Sequence, residues 1–149
     1  MNTLILKDNK SNFFELDEKI VIQLENIKIP FGLENTNTIL KCNLSSKQTT
    51  LINTIECKLQ EKITDINSKY KLISQLIIKD KYPNQLITKI HYHKKKILTI
   101  FLNEENDISP YTILTKNRIY NVIIFLDKLW LNDDKFFYKW KIRKINIIK

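Results

Sequence analysis

Hydrophobic and polar positions alternate along much of this chain, and the alternation is sharpest over residues 121–149. Two apolar, β-branched and aromatic runs there flank the polar Asn132, Asp133 and Asp134, a pattern that predicts an antiparallel hairpin. Successive side chains of a strand point to opposite faces. Phe136, Tyr138, Trp140 and Ile142 therefore share a face suited to a core, while Lys135, Phe137, Lys139, Lys141 and Arg143 share the other. Trp130 and Trp140, with Leu129, are expected to anchor the core of this hairpin.

Upstream, residues 4–6 and 13–16 read as short strands. Over 19–29, Ile20, Ile22 and Leu24 alternate with mostly polar neighbours, and Ile27 and Ile29 resume in a shifted phase. That shift predicts a strand with a bulge or bend near Glu25. Pro30, Phe31 and the only glycine, Gly32, end it in a turn. Residues 38–44 form a further expected strand. Ser45 or Ser46 is placed to cap a helix over about 47–69. Leu51, Ile52, Ile55, Leu59, Ile63 and Ile66 recur on it at three- and four-residue spacing and give an apolar stripe. Glu56, Lys58, Gln60, Glu61, Lys62 and Asp65 fall mostly elsewhere on its circumference, so it reads as a helix covering a core. Residues 72–78, with Ile73, Ile77 and Ile78, read as strand. A turn at 81–84 leads into strands over 85–93 and 96–102, joined tightly at Lys94 and Lys95. A polar loop over 104–110 and a short strand over 111–114 precede the last hairpin. The whole, residues 1–149, is expected to be one mainly β domain with one long helix.

Composition and charge narrow the function. The chain has no alanine, is rich in Ile, Lys and Asn, and carries a net charge of +9. An AT-rich coding sequence favours those three residues, so the total charge says little. Its placement says more. Residues 1–80 hold 11 basic and 10 acidic side chains, whereas residues 81–149 hold 14 and 6. From Lys135 onward there are six cations and no acid. Such asymmetry points to a polyanionic partner, nucleic acid first and acidic lipid second. The row of cations with Phe137 among them suits single-stranded nucleic acid, because cations track phosphates and bases stack on the ring. A solvated edge strand carries the same lysines, which also discourage aggregation. That reading stands beside the first.

Little else carries chemistry. Neither a phosphate loop nor a glycine-rich dinucleotide turn fits a chain with one glycine. Cys42 and Cys57 have no metal-type spacing and are expected to be buried, reduced thiols. His91 and His93 share a strand face but lack a third ligand nearby in sequence. Beside Lys94, Lys95 and Lys96 they suit either a phosphate-facing hairpin or an exposed strand end. Glu104 with Glu105, and Asp133 with Asp134, fall in turns, where acids are common. No catalytic set, metal site or cofactor is expected, and Tyr92 and Tyr138 are secondary stacking candidates. No stretch has the length of a membrane span and no signal peptide opens the chain, so a soluble protein made inside a cell is expected.

Several stretches resemble the single-stranded DNA-binding proteins of nucleocytoplasmic large DNA viruses, a family related to the podophage replicative SSB. They are Ile29, Pro30, Phe31, Gly32 and Leu33 after a strand; Tyr82 and Pro83 ahead of Leu86, Ile87, Thr88, Lys89 and Ile90; and Leu129 and Trp130, then Lys135 and Phe136, then Trp140 and Lys141. The family pattern has a glycine where this chain has Phe137. The resemblance implies an OB-like antiparallel β-barrel with one packed helix, binding single-stranded DNA, or RNA, without sequence preference in viral replication, recombination or repair. It further implies replication proteins as partners and a place in the host cytoplasm, viral factory or virion. On this reading Lys135, Phe137, Lys139, Lys141 and Arg143 form one wall of the site, with Tyr92, Lys94, Lys95 and Lys96 opposite. An edge strand in the last hairpin would permit homo-oligomers. The alternative is a non-enzymatic viral structural, assembly or protein-interaction module.

Overall fold

The computed structural model describes residues 6–9, 13–30, 38–81, 83–110, 114–115 and 118–148. In chain order the elements are β1 (Leu6–Asn9), β2 (Phe13–Lys28), β3 (Ile39–Asn43), α1 (Ser46–Ile66), β4 (Lys71–Leu72), β5 (Leu76–Ile77) and β6 (Gln85–Ile90). After them come β7 (Tyr92–His93), β8 (Lys96–Ile97), β9 (Ile100–Leu102), β10 (Ile119–Asn132), β11 (Lys135–Tyr138) and β12 (Trp140–Ile148). Strands β1, β2, β10, β12, β6 and β3 are neighbours in one curled half-barrel sheet. β11 and β4 extend it beyond β10, β5 lies beside β6, and β9 lies beside β12. With α1 this is the expected OB-like α+β arrangement. Most pairs are antiparallel, but β12 runs parallel to β6 and β9, and β11 parallel to β4.

Several strands differ from the sequence pattern, and the one expected over 72–78 is reduced to the two-residue β4 and β5. The separate strands expected at 13–16 and 19–29 are one continuous β2, because β10 pairs with both parts of it, from Ile119 opposite Lys28 to Trp130 opposite Phe13. The hairpin expected between 85–93 and 96–102 is confined to β7 and β8. β6 and β9 leave it and each pairs with β12 instead, Ile90 opposite Ile142 and Ile100 opposite Lys144. Lys94 and Lys95 make that short turn with φ of 49° and 67°, the left-handed geometry of a tight hairpin. The expected turn around Gly32 and most of the expected strand at 111–114 fall outside the described residues.

The predicted bulge in β2 is present: Asn26 has φ 55°, and pairing with β10 shifts register between Tyr120 and Val122. Ile22 and Leu24 are buried before it and Ile27 and Ile29 after it, so the extra residue keeps both halves facing inward. Ser45 caps α1 through a capping box with Gln48, whose side chain also donates to the Glu25 carbonyl at 2.9 Å. The helix start and the strand bulge are thereby tied together. Ile52, Ile55, Leu59 and Ile63 enter the core, while Leu51 and Ile66 stay exposed at the stripe's margin. Cys42 is buried, which pushes its thiol up to about 11 against a lowering contact from Thr88. Cys57 is exposed on the helix, contrary to expectation. No helix among the described residues is long and apolar enough to cross a membrane.

Phe136, Tyr138, Trp140 and Ile142 are buried as the alternation predicted. They meet a helix residue that the periodicity did not mark. Glu56 is buried, and its carboxylate accepts from Tyr138 Oη at 2.5 Å, Ser74 Oγ at 2.6 Å and the Gln75 amide at 2.9 Å. The Trp140 indole donates to Tyr138 Oη at 3.0 Å. Burial and the adjacent carboxylate push the Tyr138 phenol well above the ordinary tyrosine range, so it remains a donor. One carboxylate thus links α1, the 74–75 segment and the closing hairpin. Tyr138, a secondary stacking candidate in the sequence, is committed to this network and does not face solvent.

The network predicts two graded effects. Trp140→Ala should cost about 3–5 kcal/mol, the range for removing a large buried aromatic. Tyr138→Phe removes one of the donors to the Glu56 carboxylate, which keeps the Gln75 amide and Ser74, and strands the indole N–H; it should cost about 1–3 kcal/mol. Chemical denaturation of both variants measures this; equal and small losses would contradict the network.

Candidate nucleic-acid interface

The outer face of the last hairpin is built by the same alternation that fills the core. Lys135, Lys139 and Arg143 are exposed, and Phe137 and Lys141 half-buried. The neighbouring strand adds a ring that the sequence pattern assigned to the core. β10 buries Tyr120, Val122, Ile124 and Leu126, then shifts register against β2 between Leu126 and Lys128. After the shift Leu129 points inward and Trp130 outward. Trp130 is half-buried and stacks on Phe137, with centroids 6.0 Å apart and planes 19° from parallel. On its other side Trp130 is in register with Phe13 of β2, which is 41% exposed. Phe13, Trp130 and Phe137 therefore form a row of rings across three adjacent strands on one face.

Cations lie over these rings. Lys139 Nζ is 5.3 Å from the Trp130 centroid and Lys128 Nζ 5.5 Å from that of Phe13. Further along the face Phe125 is only 3% exposed because Lys19, Lys141 and Arg143 cover it, at 5.3, 5.9 and 5.1 Å. Cation–π contacts at exposed sites are worth only about 0.5–1 kcal/mol each, so an incoming base can displace them. His91 meets the edge of Phe125, centroids 5.1 Å apart. Burial, and then Lys141, hold its imidazole below the ordinary histidine range, with Lys19 and His93 adding to this and Asp127 opposing it. Lys139 is likewise held below the usual lysine range, by burial first and then by the Lys89 amine and Lys141.

A cleft of about 360 Å³ opens among these residues. Phe13, Trp130 and Tyr92 give it aromatic walls, and Lys89, Lys139 and Lys141 line it with charge. Asp127 also lines it, paired to Lys141 at 3.5 Å. Of the residues expected in the site, Lys139, Lys141 and Tyr92 meet in this cleft, Phe137 backs it through Trp130, and Arg143 lies over Phe125. Lys135 sits at the hairpin turn opposite Asn132. Lys94, Lys95 and Lys96 are exposed at the β7–β8 turn and do not line the cleft. Among the described residues no group of three or more His, Cys, Asp or Glu gathers as a metal site.

The sequence pattern missed Phe13, Lys19, Lys89, Phe125, Lys128 and Trp130. For Trp130 the obstacle is the bulge: continuing the phase of Leu126 two residues at a time carries Lys128 and Trp130 inward. The cue that was available is the local triplet Leu129, Trp130, Leu131, with leucines flanking the ring in the opposite phase. For Phe13 and Lys19 no cue exists in the sequence, since only long-range pairing sets β2 beside β10.

No protein-family model and no curated protein sequence matches the chain. Its fold does match solved structures. The single-stranded DNA-binding protein from bacteriophage Enc34 superposes with a TM-score of 0.59 at 10% identity, over 99% of this chain and 90% of that one. A C-terminally truncated form of it gives 0.57 at 11% identity, over 100% and 96%. The same phage protein in complex with single-stranded DNA gives 0.57 at 10% identity, over 100% and 97%. At such identity the likeness is one of fold.

His91 makes the electrostatics of this face measurable. Its folded-state midpoint should lie below 6.5 in an NMR titration. The folded chain binds this proton less readily than the unfolded chain, so acid favours unfolding. His91's contribution is flat above the ordinary midpoint of 6.5 and is lost as pH falls below it towards the depressed value. Thermal melts between about pH 7.5 and 5.5 should show this decline in the wild type and less of it in His91→Gln. A midpoint at or above the ordinary value would contradict the described environment.

Proposed function

We infer that this protein binds single-stranded DNA, without sequence preference, along the outer face of β2, β10, β11 and β12. The observation that carries the reading is the register of Phe13, Trp130 and Phe137 across adjacent strands, with Lys128 and Lys139 over two of the rings. Bases have a π-face whatever their identity, so a row of rings accepts any sequence, while the cations follow the backbone. A duplex offers no unstacked bases to such a row. The fold likeness to a phage single-stranded DNA-binding protein, solved in one case with its DNA, supports the same reading. Lys135, Lys141, Arg143 and Tyr92 extend the contact surface, and Lys94, Lys95 and Lys96 offer phosphates an outlying cationic tip. In biological terms the protein coats exposed single strands during replication, recombination or repair of a viral genome. The resemblance of its terminal Trp-containing pattern to proteins of large DNA viruses supports that setting.

Gel-shift titrations with single-stranded and duplex oligonucleotides across a salt series test the assignment. Single strands should bind more tightly, with log affinity falling linearly in log salt by about 0.7 per phosphate contacted. Phe137→Ala and Trp130→Ala should each weaken binding by about 1–3 kcal/mol, the value of one stacked base, with both variants still folded. Preference for duplex, or unchanged affinity in both variants, would overturn it.

A further inference from the structure

A second cleft, of about 230 Å³, lies next to the first. Ile39, Ile87, Thr88 and Gln75 line it together with Trp140. Two residues belong to both clefts: Lys89 and Lys139. They are the divide between an aromatic chamber and an apolar one that carries an amide.

The charges at this divide are incomplete. Lys89 of β6 stands directly opposite Lys141 of β12 in the parallel pairing, and like charges so placed repel. Asp127 neutralises Lys141 at 3.5 Å. Among the described residues no carboxylate is found paired with Lys89 or Lys139. Lys139 instead faces the Lys89 amine; burial first, and then that contact, weakens its hold on the proton. Two neighbouring ammonium groups without a counter-charge are a site that an anion completes. The clefts on either side decide which anion: a free phosphate would use neither, whereas a nucleotide chain has a base on each side of every phosphate.

We propose that Lys89 and Lys139 together seat one internucleotide phosphate, with the nucleosides on its two sides lodged one in each cleft. The proposal rests on the single-strand-binding reading and adds a fixed position for one phosphate to it. On that geometry the strand crosses β6 and the start of β12, leaves the aromatic row through the divide, and continues towards β3. Gln75 then meets the base in the second cleft, with an amide that both donates and accepts.

Salt dependence counts the phosphates involved. The affinity of a short oligothymidylate should be measured across a salt series for wild type, Lys89→Gln, Lys139→Gln and the double variant. If the two amines share one phosphate, each single variant keeps most of the slope and the double variant loses about 0.7 from it. Losses of about 0.7 in each single variant and about 1.4 in the double would mean two separate phosphates and would overturn the shared seat while leaving single-strand binding intact. A wild type that binds no oligonucleotide would overturn the underlying reading and the seat with it. A second measurement does not depend on the variants folding. In NMR spectra of the wild type, the dinucleotide TpT should move the ammonium signals of Lys89 and Lys139 and the Trp130 indole signal together. Inorganic phosphate at the same concentration should not. Equal shifts of the two lysines with phosphate alone would assign the site to a free anion and overturn the proposal.

Discussion

The Glu56 carboxylate is the contact on which the arrangement depends. A buried carboxylate is costly unless its oxygens find donors. Here Tyr138, Ser74 and the Gln75 amide supply three. Those donors come from the closing hairpin and from the segment after the helix, so satisfying one charge fixes α1 against the sheet. Ring packing continues the same junction: Phe136 is met edge-on by Phe14 at 5.0 Å and by Tyr70 at 5.6 Å. Because side chains alternate, fixing Phe136, Tyr138 and Trp140 inward also fixes Phe137 and Lys139 outward. The interior network and the outer surface are two consequences of one register.

The outer surface is built at a cost to stability. Lys89, Lys139 and Lys141 crowd together, and burial first, then the Lys89 amine and Lys141, holds Lys139 below the normal lysine range. Burial first, and then Lys141, lowers the His91 imidazole below the ordinary histidine range as well. A face selected only for solubility would spread its cations and pair them with acids; this one gathers them over aromatic rings. Among the described residues Asp127 is the one carboxylate lining the cleft; it offsets Lys141, and no carboxylate is found paired with Lys89 or Lys139. Charge of this kind is relieved by a polyanion, which is the physical link between the fold and its proposed role.

Much of the architecture was legible in the sequence because it follows from local periodicity. The Ser45 cap, the helix stripe from Ile52 to Ile63 and the division of residues 135–143 into inner and outer rows need only spacing and side-chain type. The shift near Glu25 was visible because apolar residues mark both phases around it. What was not legible depends on contacts far apart in sequence. Glu56 looks like an ordinary exposed helix acid until Tyr138, 82 residues later, is placed against it. Trp130 reads as core because a tryptophan beside leucines usually is, and a bulge between Leu126 and Lys128 reverses its direction. The lysines at 94–96 stand out in the sequence as a charge run, yet Lys89, a single lysine between Thr88 and Ile90, lines both clefts.

The two tryptophans lie on opposite sides of the sheet, and this makes a direct measurement available. Trp140 is fully buried and bonded to Tyr138, whereas Trp130 lies half-buried in the ring row. Intrinsic fluorescence should be followed while oligothymidylate is added, with binding monitored independently by anisotropy of a labelled strand. If bases stack on the outer row, emission is quenched as the strand binds, and Trp130→Phe removes the quenching while leaving the Trp140 signal. Bound DNA with unchanged emission, or quenching that persists in Trp130→Phe, would contradict the account.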